Sequence, residues 1–368
     1  MKSSFYRPEL DVLRFCAAFS VFVFHAFPEP ASIFGVGFFK SALAIVIATG
    51  AYGVDLFFGI SSFLITQLLL REREQTATLD IKAFYVRRIL RIWPLYFAFV
   101  LFAYGLTFVV RTQQLSGAYV AAFFLMAGNW MFILRGTPHS VSGALWSISL
   151  EEQFYLSWPH AVKKARMQII TRIVWGLLLV ATVARIALVR RGINSNELWF
   201  NTLVRLDPLA MGILLAVWLR THEFTPRRIV RVLLVVSGVG CWLLVTRFTP
   251  LLNLLSVPFW NALLGYPLMS LGSITMLAAV YGAPQAGLSI FANKWLAYFG
   301  KISYGIYVYH ELCIAIAHRI FVGPTRFIVP AATAFPLTLL FAALSYRFLE
   351  APFLRLKEKF AHVSSRSV

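Results

Sequence analysis

The stretch Leu10-Asp11-Val-Leu-Arg14-Phe-Cys-Ala-Ala-Phe-Ser-Val-Phe-Val-Phe-His25 sets an arginine and a histidine within an otherwise apolar run. At 3.6 residues per turn, Arg14 and His25 lie on one helix face, roughly 16 Å apart along the axis. Asp11 can pair with Arg14 three positions later. Ionisable residues in a membrane-spanning helix are costly and mark pathways or reaction centres. This stretch alone leaves open the alternative of a snorkelling arginine and a histidine bonded to a nearby carbonyl.

The composition indicates a membrane protein. Of the 368 residues, 59% are hydrophobic and 13% are charged, and the mean hydropathy is +0.74, which is unlike an ordinary soluble domain. Many apolar runs approach the roughly 20 residues that a helix needs to cross a bilayer, and they lack the alternation of barrel strands. We therefore predict an all-α polytopic membrane protein, a bundle of about ten transmembrane helices. It should form a single membrane domain over 1–368, with a core of about 7–353 and no appended soluble domain.

Two apolar segments differ in how well they could cross the membrane. Residues 117–134 are apolar enough to form one crossing, whereas 151–162 is short and contains two glutamates. The shorter run should therefore be partly re-entrant or buried within the bundle.

The basic residues predict an orientation. The net charge is +19, and the cationic side chains cluster in short connections, most densely in residues 71–91. Such connections are cytoplasmic as a rule, so we expect both termini inside. Nucleic acid need not be invoked, since a basic rim also suits anionic lipid heads or a phosphorylated cosubstrate. The three cysteines lie in apolar segments without metal-ligand spacing, and we predict no metal site.

Acidic residues recur inside apolar segments. Asp55 should pair with a histidine on an adjacent helix, such as His25, or else cap a helix that begins at Gly53. Glu151 and Glu152 are neighbours and point about 100° apart on a helix, so only one easily faces a given cavity. The other can act in a capping box with Ser149 as the N-cap.

Two further segments carry polar side chains at helical spacing. Arg87, Arg88 and Arg91 lie on adjoining faces and could hold phosphate oxygens, or they could anchor the helix at the cytoplasmic boundary. Farther along the chain, three residues form one stripe that either lines a cavity or joins helices: Ser303, Tyr307 and His310.

Taken in order, six segments resemble the acyltransferase 3 family, the integral-membrane enzymes that O-acylate bacterial surface polysaccharides, peptidoglycan and some small molecules. The resemblance covers almost the whole chain, from Arg7 to about Phe353. The segments are Leu10-Asp11-Val-Leu-Arg14 with His25, Gly53-Val-Asp-Leu-Phe-Phe58, Arg87-Arg-Ile-Leu-Arg91-Ile-Trp-Pro94, Trp146-Ser-Ile-Ser-Leu-Glu-Glu-Gln-Phe-Tyr155, Ser303-Tyr-Gly-Ile-Tyr-Val-Tyr-His310 and Arg347-Phe-Leu-Glu-Ala-Pro-Phe353.

The resemblance implies that His25 is the leading catalytic residue and that Arg88 and Arg91 hold an acyl-CoA donor. Ser62 stands where the family often has glycine, and Ala351 where it often has arginine. These two departures bear on the substrate subtype rather than on activity.

The leading hypothesis is a multi-pass O-acetyltransferase of the bacterial inner membrane that moves an acyl group from cytoplasmic acetyl-CoA to a carbohydrate hydroxyl. His25 would either abstract the acceptor's proton directly or be acylated and relay the group, and the sequence does not separate these two roles. Membrane lipids would be its other contacts. The expected catalytic residues are His25, Asp55, Glu151, Glu152 and Arg14; the donor-binding residues Arg87, Arg88 and Arg91; and the substrate-binding residues Ser303, Tyr307 and His310.

The alternative is a proton-coupled transporter with His25, Asp55 and Glu151 as a proton relay. The absence of an evident inverted repeat disfavours it.

Overall fold

The structure, a computed structural model, is helical throughout the part of the chain that it describes, apart from turns, loops and one isolated bridge between Gln114 and His139. It describes residues 6–28, 38–252, 255–284, 288–321 and 327–360. The helices are α1 (Pro8–Ala26), α2 (Phe38–Ala48), α3 (Gly53–Thr76), α4 (Ile81–Val109), α5 (Gly117–Phe124), α6 (Gly128–Arg135), α7 (Trp146–Lys164), α8 (Met167–Arg190), α9 (Ser195–Phe200), α10 (Leu206–Thr221), α11 (Arg228–Phe248), α12 (Tyr266–Val280), α13 (Lys294–Lys301), α14 (Ser303–Ile320), α15 (Ile328–Ser345) and α16 (Ala351–Glu358).

Six segments among the described residues are long and apolar enough to cross a membrane. They are Phe39–Thr76, Ile81–Val109, Met167–Arg190, Arg228–Phe248, Asn261–Val280 and Ile328–Glu358. The all-α, multi-pass prediction is therefore confirmed, but the count of about ten crossings is not. Helix α1 falls outside this set because Glu9, Asp11 and Arg14 share its first two turns.

The run 117–134 is not one continuous crossing. Helices α5 and α6 have eight residues each, which is too short to span a bilayer. Met126 separates them with a φ of 53°, in the left-handed region that interrupts a helix. By contrast, 151–162 lies within the 19-residue α7, and most side chains of that helix are buried in the bundle, as its short apolar length predicted.

Helix α1 packs against several other helices of the bundle. It contacts α3, α13 and α14, and it runs parallel to α14. Ala18 packs near Ile306, and Phe22 packs in the same cluster as Cys313 one to two turns farther along both helices. This parallel arrangement sets the His25 end of α1 beside the middle of α14.

Helix α1 approaches α13 closely at Gly300. A Cβ added there would lie 1.8 Å from the backbone oxygen of Asp11, closer than any real contact. Only glycine allows the two backbones to touch, as in other close helix contacts in membranes.

We expect Gly300→Ala to destabilise the protein by about 1–3 kcal/mol, because α1 and α13 must separate to admit the methyl group. Thermal unfolding in detergent measures the effect. Gly176→Ala is the matched control, since nothing lies within 4 Å of a Cβ at that helical glycine. Equal melting temperatures for the two variants would contradict the close packing of α1 on α13.

Candidate active site

A cavity opens between α1, α3, α4, α7 and α14, with about 730 Å³ of free space when its mouth is included. We call it the main cavity. Apolar and aromatic side chains form most of its walls, as in other small-molecule sites. Its polar lining residues are Arg14, Ser61, Arg88, Arg91, Ser147, Glu151, Tyr155, Ser303, Tyr304 and Tyr307.

A second cavity of about 580 Å³ adjoins the main cavity. The two share Arg14, Ser61, Arg88 and Arg91, so these arginines lie where the two cavities meet. We call the second cavity the basic mouth, because its lining has five cations and one carboxylate: Arg7, Arg14, Arg88, Arg91, Lys357 and Asp11. This charge balance favours anions.

The three candidate donor-binding arginines have different surroundings. Arg88 and Arg91 are one turn apart on α4 and line both cavities. The buried Nε of Arg88 has no hydrogen-bond partner among the described residues. Arg87 points elsewhere: it donates to Glu72 at 2.7 Å and to the carbonyl oxygen of Phe360 at 2.7 Å. Among the described residues, Arg87 thus lines neither cavity, unlike Arg88 and Arg91.

The two neighbouring glutamates point in different directions, as the helix geometry predicts. Glu151 lines the main cavity, whereas Glu152 is turned away and accepts a hydrogen bond of 3.0 Å from Trp93 Nε1. The capping-box expectation was wrong, because α7 begins at Trp146 and Ser149 is inside the helix. Ser149 Oγ instead lies 3.2 Å from the Tyr96 hydroxyl.

Asp55 does not pair with His25. Its carboxylate accepts a hydrogen bond of 2.7 Å from Arg205, and both side chains are fully buried. The Arg205 guanidinium also lies 4.0 Å from the centre of the Trp199 ring. A second buried pair, Arg185 with Asp207, lies nearby in α8 and α10. Asp55 is thus part of a group of buried ion pairs that links α3 and α8 to the start of α10.

His25 lies instead beside His310 and Glu311 of α14. His25 Nδ1 is 3.0 Å from the Val21 carbonyl oxygen and 3.2 Å from His310 Nε2. His25 Nε2 is 3.7 Å from Glu311 Oε1. The expected pairing of Arg14 with Asp11, at 3.8 Å, is confirmed.

The predicted stripe on α14 has two different surroundings. Ser303 and Tyr307 line the main cavity, and the Tyr307 hydroxyl is 2.7 Å from Ser147 Oγ. His310, one turn farther along, is buried against His25. The sequence analysis did not select Glu311, because this residue lies one position beyond the stripe that ends at His310. A carboxylate directly after a histidine in an apolar helix was the signal that could have identified it.

The ligand atoms of His25, His310 and Glu311 all lie within 4.8 Å of one another. Two histidines and a carboxylate are a donor set that zinc uses. However, His310 uses Nδ1 toward the Tyr307 carbonyl oxygen, at 2.6 Å, and directs Nε2 at His25. A metal bound through His310 Nε2 would have to break the contact between the two imidazoles.

Comparisons with known proteins identify the family of the chain. The profile of a family described as an acyltransferase domain matches residues 7–347. The peptidoglycan O-acetyltransferase OatA of Listeria monocytogenes is 30% identical over 372 residues, which cover 94% of this chain and 56% of the relative. The O-acetyltransferase OatA of Staphylococcus aureus is 27% identical over 370 residues, covering 96% and 58%. The chain thus spans somewhat more than half the length of these curated relatives. No solved structure matches it significantly.

Proposed function

We propose that this chain, which belongs to the acyltransferase domain family, is a membrane O-acetyltransferase that uses acetyl-CoA and acetylates a hydroxyl of a cell-surface polysaccharide. Two similar proteins are named O-acetyltransferases, and one of those names specifies peptidoglycan. The observation that carries the proposal is the convergence of Arg14, Arg88 and Arg91 where the basic mouth meets the main cavity.

The basic mouth suits the phosphates of the donor. Guanidinium groups bind phosphate oxygens through paired hydrogen bonds, and Arg88 has a buried Nε available for one. The start of α4 belongs to the densely charged segment 71–91, which we expect in the cytoplasm. The donor would therefore enter from the cytoplasmic side, where acetyl-CoA is made.

The main cavity extends from the arginines to Tyr307 of α14. Tyr307 in its wall precedes His310 by less than one helical turn, and His310 contacts His25. The long pantetheine arm of the donor can occupy this route, which would bring its thioester toward His25. Glu151, Ser303 and Tyr307 would orient the donor or the acceptor within the cavity.

Acetyl transfer then needs a base and a leaving thiol. The proton of the acceptor hydroxyl moves to His25, while the acceptor oxygen forms a bond with the thioester carbonyl carbon. The carbon–sulfur bond breaks as the intermediate collapses. The proton passes from His25 to the departing thiolate, so the products are an O-acetyl ester and free coenzyme A.

Lysine substitutions test the donor site. Lysine keeps the positive charge but lacks the planar fork of arginine, so Arg88→Lys and Arg91→Lys should each weaken acetyl-CoA binding by about tenfold. Titration of acetyl-CoA against each purified variant measures this affinity. Arg87→Lys is the matched control, because Arg87 is on the same helix but contacts Glu72 and Phe360.

Orientation is checked by the accessibility of single cysteines placed in residues 77–80. If all three variants bind acetyl-CoA as the wild type does while keeping normal orientation, Arg88 and Arg91 are membrane anchors only. That result would remove the donor site from the proposal.

A further inference from the structure

The contacts of His25 and His310 fix the tautomers of both imidazoles. A carbonyl oxygen only accepts hydrogen bonds, so His25 Nδ1, 3.0 Å from the Val21 oxygen, must carry a proton. By the same reasoning His310 Nδ1, 2.6 Å from the Tyr307 oxygen, is protonated. His310 Nε2 then has the lone pair that faces the Nδ1–H of His25 at 3.2 Å. The unprotonated nitrogen of His25, the one able to take a proton, is therefore Nε2.

A carboxylate faces that nitrogen. Glu311 Oε1 is 3.7 Å from His25 Nε2, and the two side chains are 18% and 34% exposed, so the pair is accessible but partly shielded from water. The sequence alone had assigned such a role to Asp55, which instead pairs with Arg205.

The loop before α7 holds Glu311 in place. Its carboxylate lies against the backbone amides of Gly143 and Ala144. A Cβ added to Gly143 would lie 2.8 Å from Glu311 Oε2, so a larger residue would displace the carboxylate. The absence of a side chain at Gly143 thus leaves room for the carboxylate beside His25.

We infer that Glu311 is the carboxylate partner of His25: it faces the reactive Nε2 and stabilises the imidazolium that forms when Nε2 takes the acceptor's proton. This inference rests on the proposed function. A negative charge held near a developing positive charge stabilises it strongly in a site with little water. The acceptor's proton passes to His25 Nε2 and then to the departing thiolate, so the proton balance of the transfer is unchanged. His310 and Val21 are positioning groups that keep Nε2 free for the reaction.

Glu311→Gln tests the charge with little change in shape. We expect its kcat for acetyl transfer to fall by about 10²-fold, the scale of losing one electrostatic contact to the transition state. Its KM for acetyl-CoA should stay within about twofold, because the phosphates bind at the distant arginines. Glu223→Gln, at an exposed position, is the matched control and should keep wild-type turnover.

Two further variants test whether Glu311 acts through its charge or only through its packing. Formate should restore part of the turnover of Glu311→Ala by supplying the missing carboxylate, which a merely structural side chain would not allow. Gly143→Ala keeps the carboxylate but displaces it, and its kcat should fall between those of the wild type and Glu311→Gln.

The outcomes distinguish this inference from the proposed function. Wild-type kcat in Glu311→Gln, together with an inactive His25→Ala, would overturn the role of Glu311 and leave the acetyltransferase intact. Absence of formate rescue in a folded Glu311→Ala would also overturn it. Loss of wild-type activity on dialysis against a chelator, with recovery on adding Zn²⁺, would assign the three side chains to a metal and overturn it as well.

Discussion

Replacing His25 with alanine should lower acetyl transfer by about 10²- to 10⁴-fold, the usual contribution of a general base. The chain should still fold and insert, because a small apolar residue is well tolerated in a membrane helix. Release of free thiol from acetyl-CoA by the purified variant measures the effect. The affinity for acetyl-CoA should be unchanged, because the proposed phosphate-binding arginines are distant from His25. Arg14, the one on the same helix, lies about three turns away.

His222→Ala is the matched control, because His222 is exposed at the end of α10 and its hydrogen bonds among the described residues are to Thr221 and Trp218. A well-expressed His25→Ala protein with wild-type turnover would show that His25 is not the base. Reduced acetyl-CoA binding in the same variant would instead indicate that His25 contacts the donor.

Asp55→Asn should destabilise the protein by about 3–5 kcal/mol, the cost of removing one partner of a buried ion pair. Asparagine has nearly the same shape, but it leaves the fully buried Arg205 without a counter-charge. Unfolding of the purified protein in mixed detergent measures the change. The sequence alone led us to expect that Asp55 poises His25; its contact with Arg205 predicts a loss of stability instead.

Glu74→Gln provides a control on the same helix. Glu74 also pairs with an arginine, Arg220, but its side chain is 57% exposed, so the pair should contribute at most about 1 kcal/mol. If Asp55→Asn is as stable as Glu74→Gln yet inactive, Asp55 acts in the reaction and not in the group of buried ion pairs.

The sequence predicted the features that depend on local spacing. The helical class, the pairing of Asp11 with Arg14, the division between Glu151 and Glu152, and the common face of Arg88 and Arg91 all follow from the period of an α-helix. These relations lie within one helix, where the neighbour of each side chain is fixed by its distance along the chain.

Relations between distant segments could not be read in the same way. Arg205, the partner of Asp55, is 150 residues away in the turn before α10, and nothing in the spacing joins them. Glu72 approaches Arg87 because the short connection 77–80 turns the chain between the end of α3 and the start of α4. Glu311 meets His25 because α1 and α14 are parallel, which depends on the topology of the whole bundle.

The most direct test of the account uses inside-out membrane vesicles from cells that produce the chain, supplied with acetyl-CoA labelled in its acetyl group. We expect the label to appear as a base-labile ester in the glycan fraction, with one free thiol released per ester, and to be lost in His25→Ala. Equal labelling of glycans by wild-type and His25→Ala vesicles, both carrying the protein in normal amounts, would contradict the account.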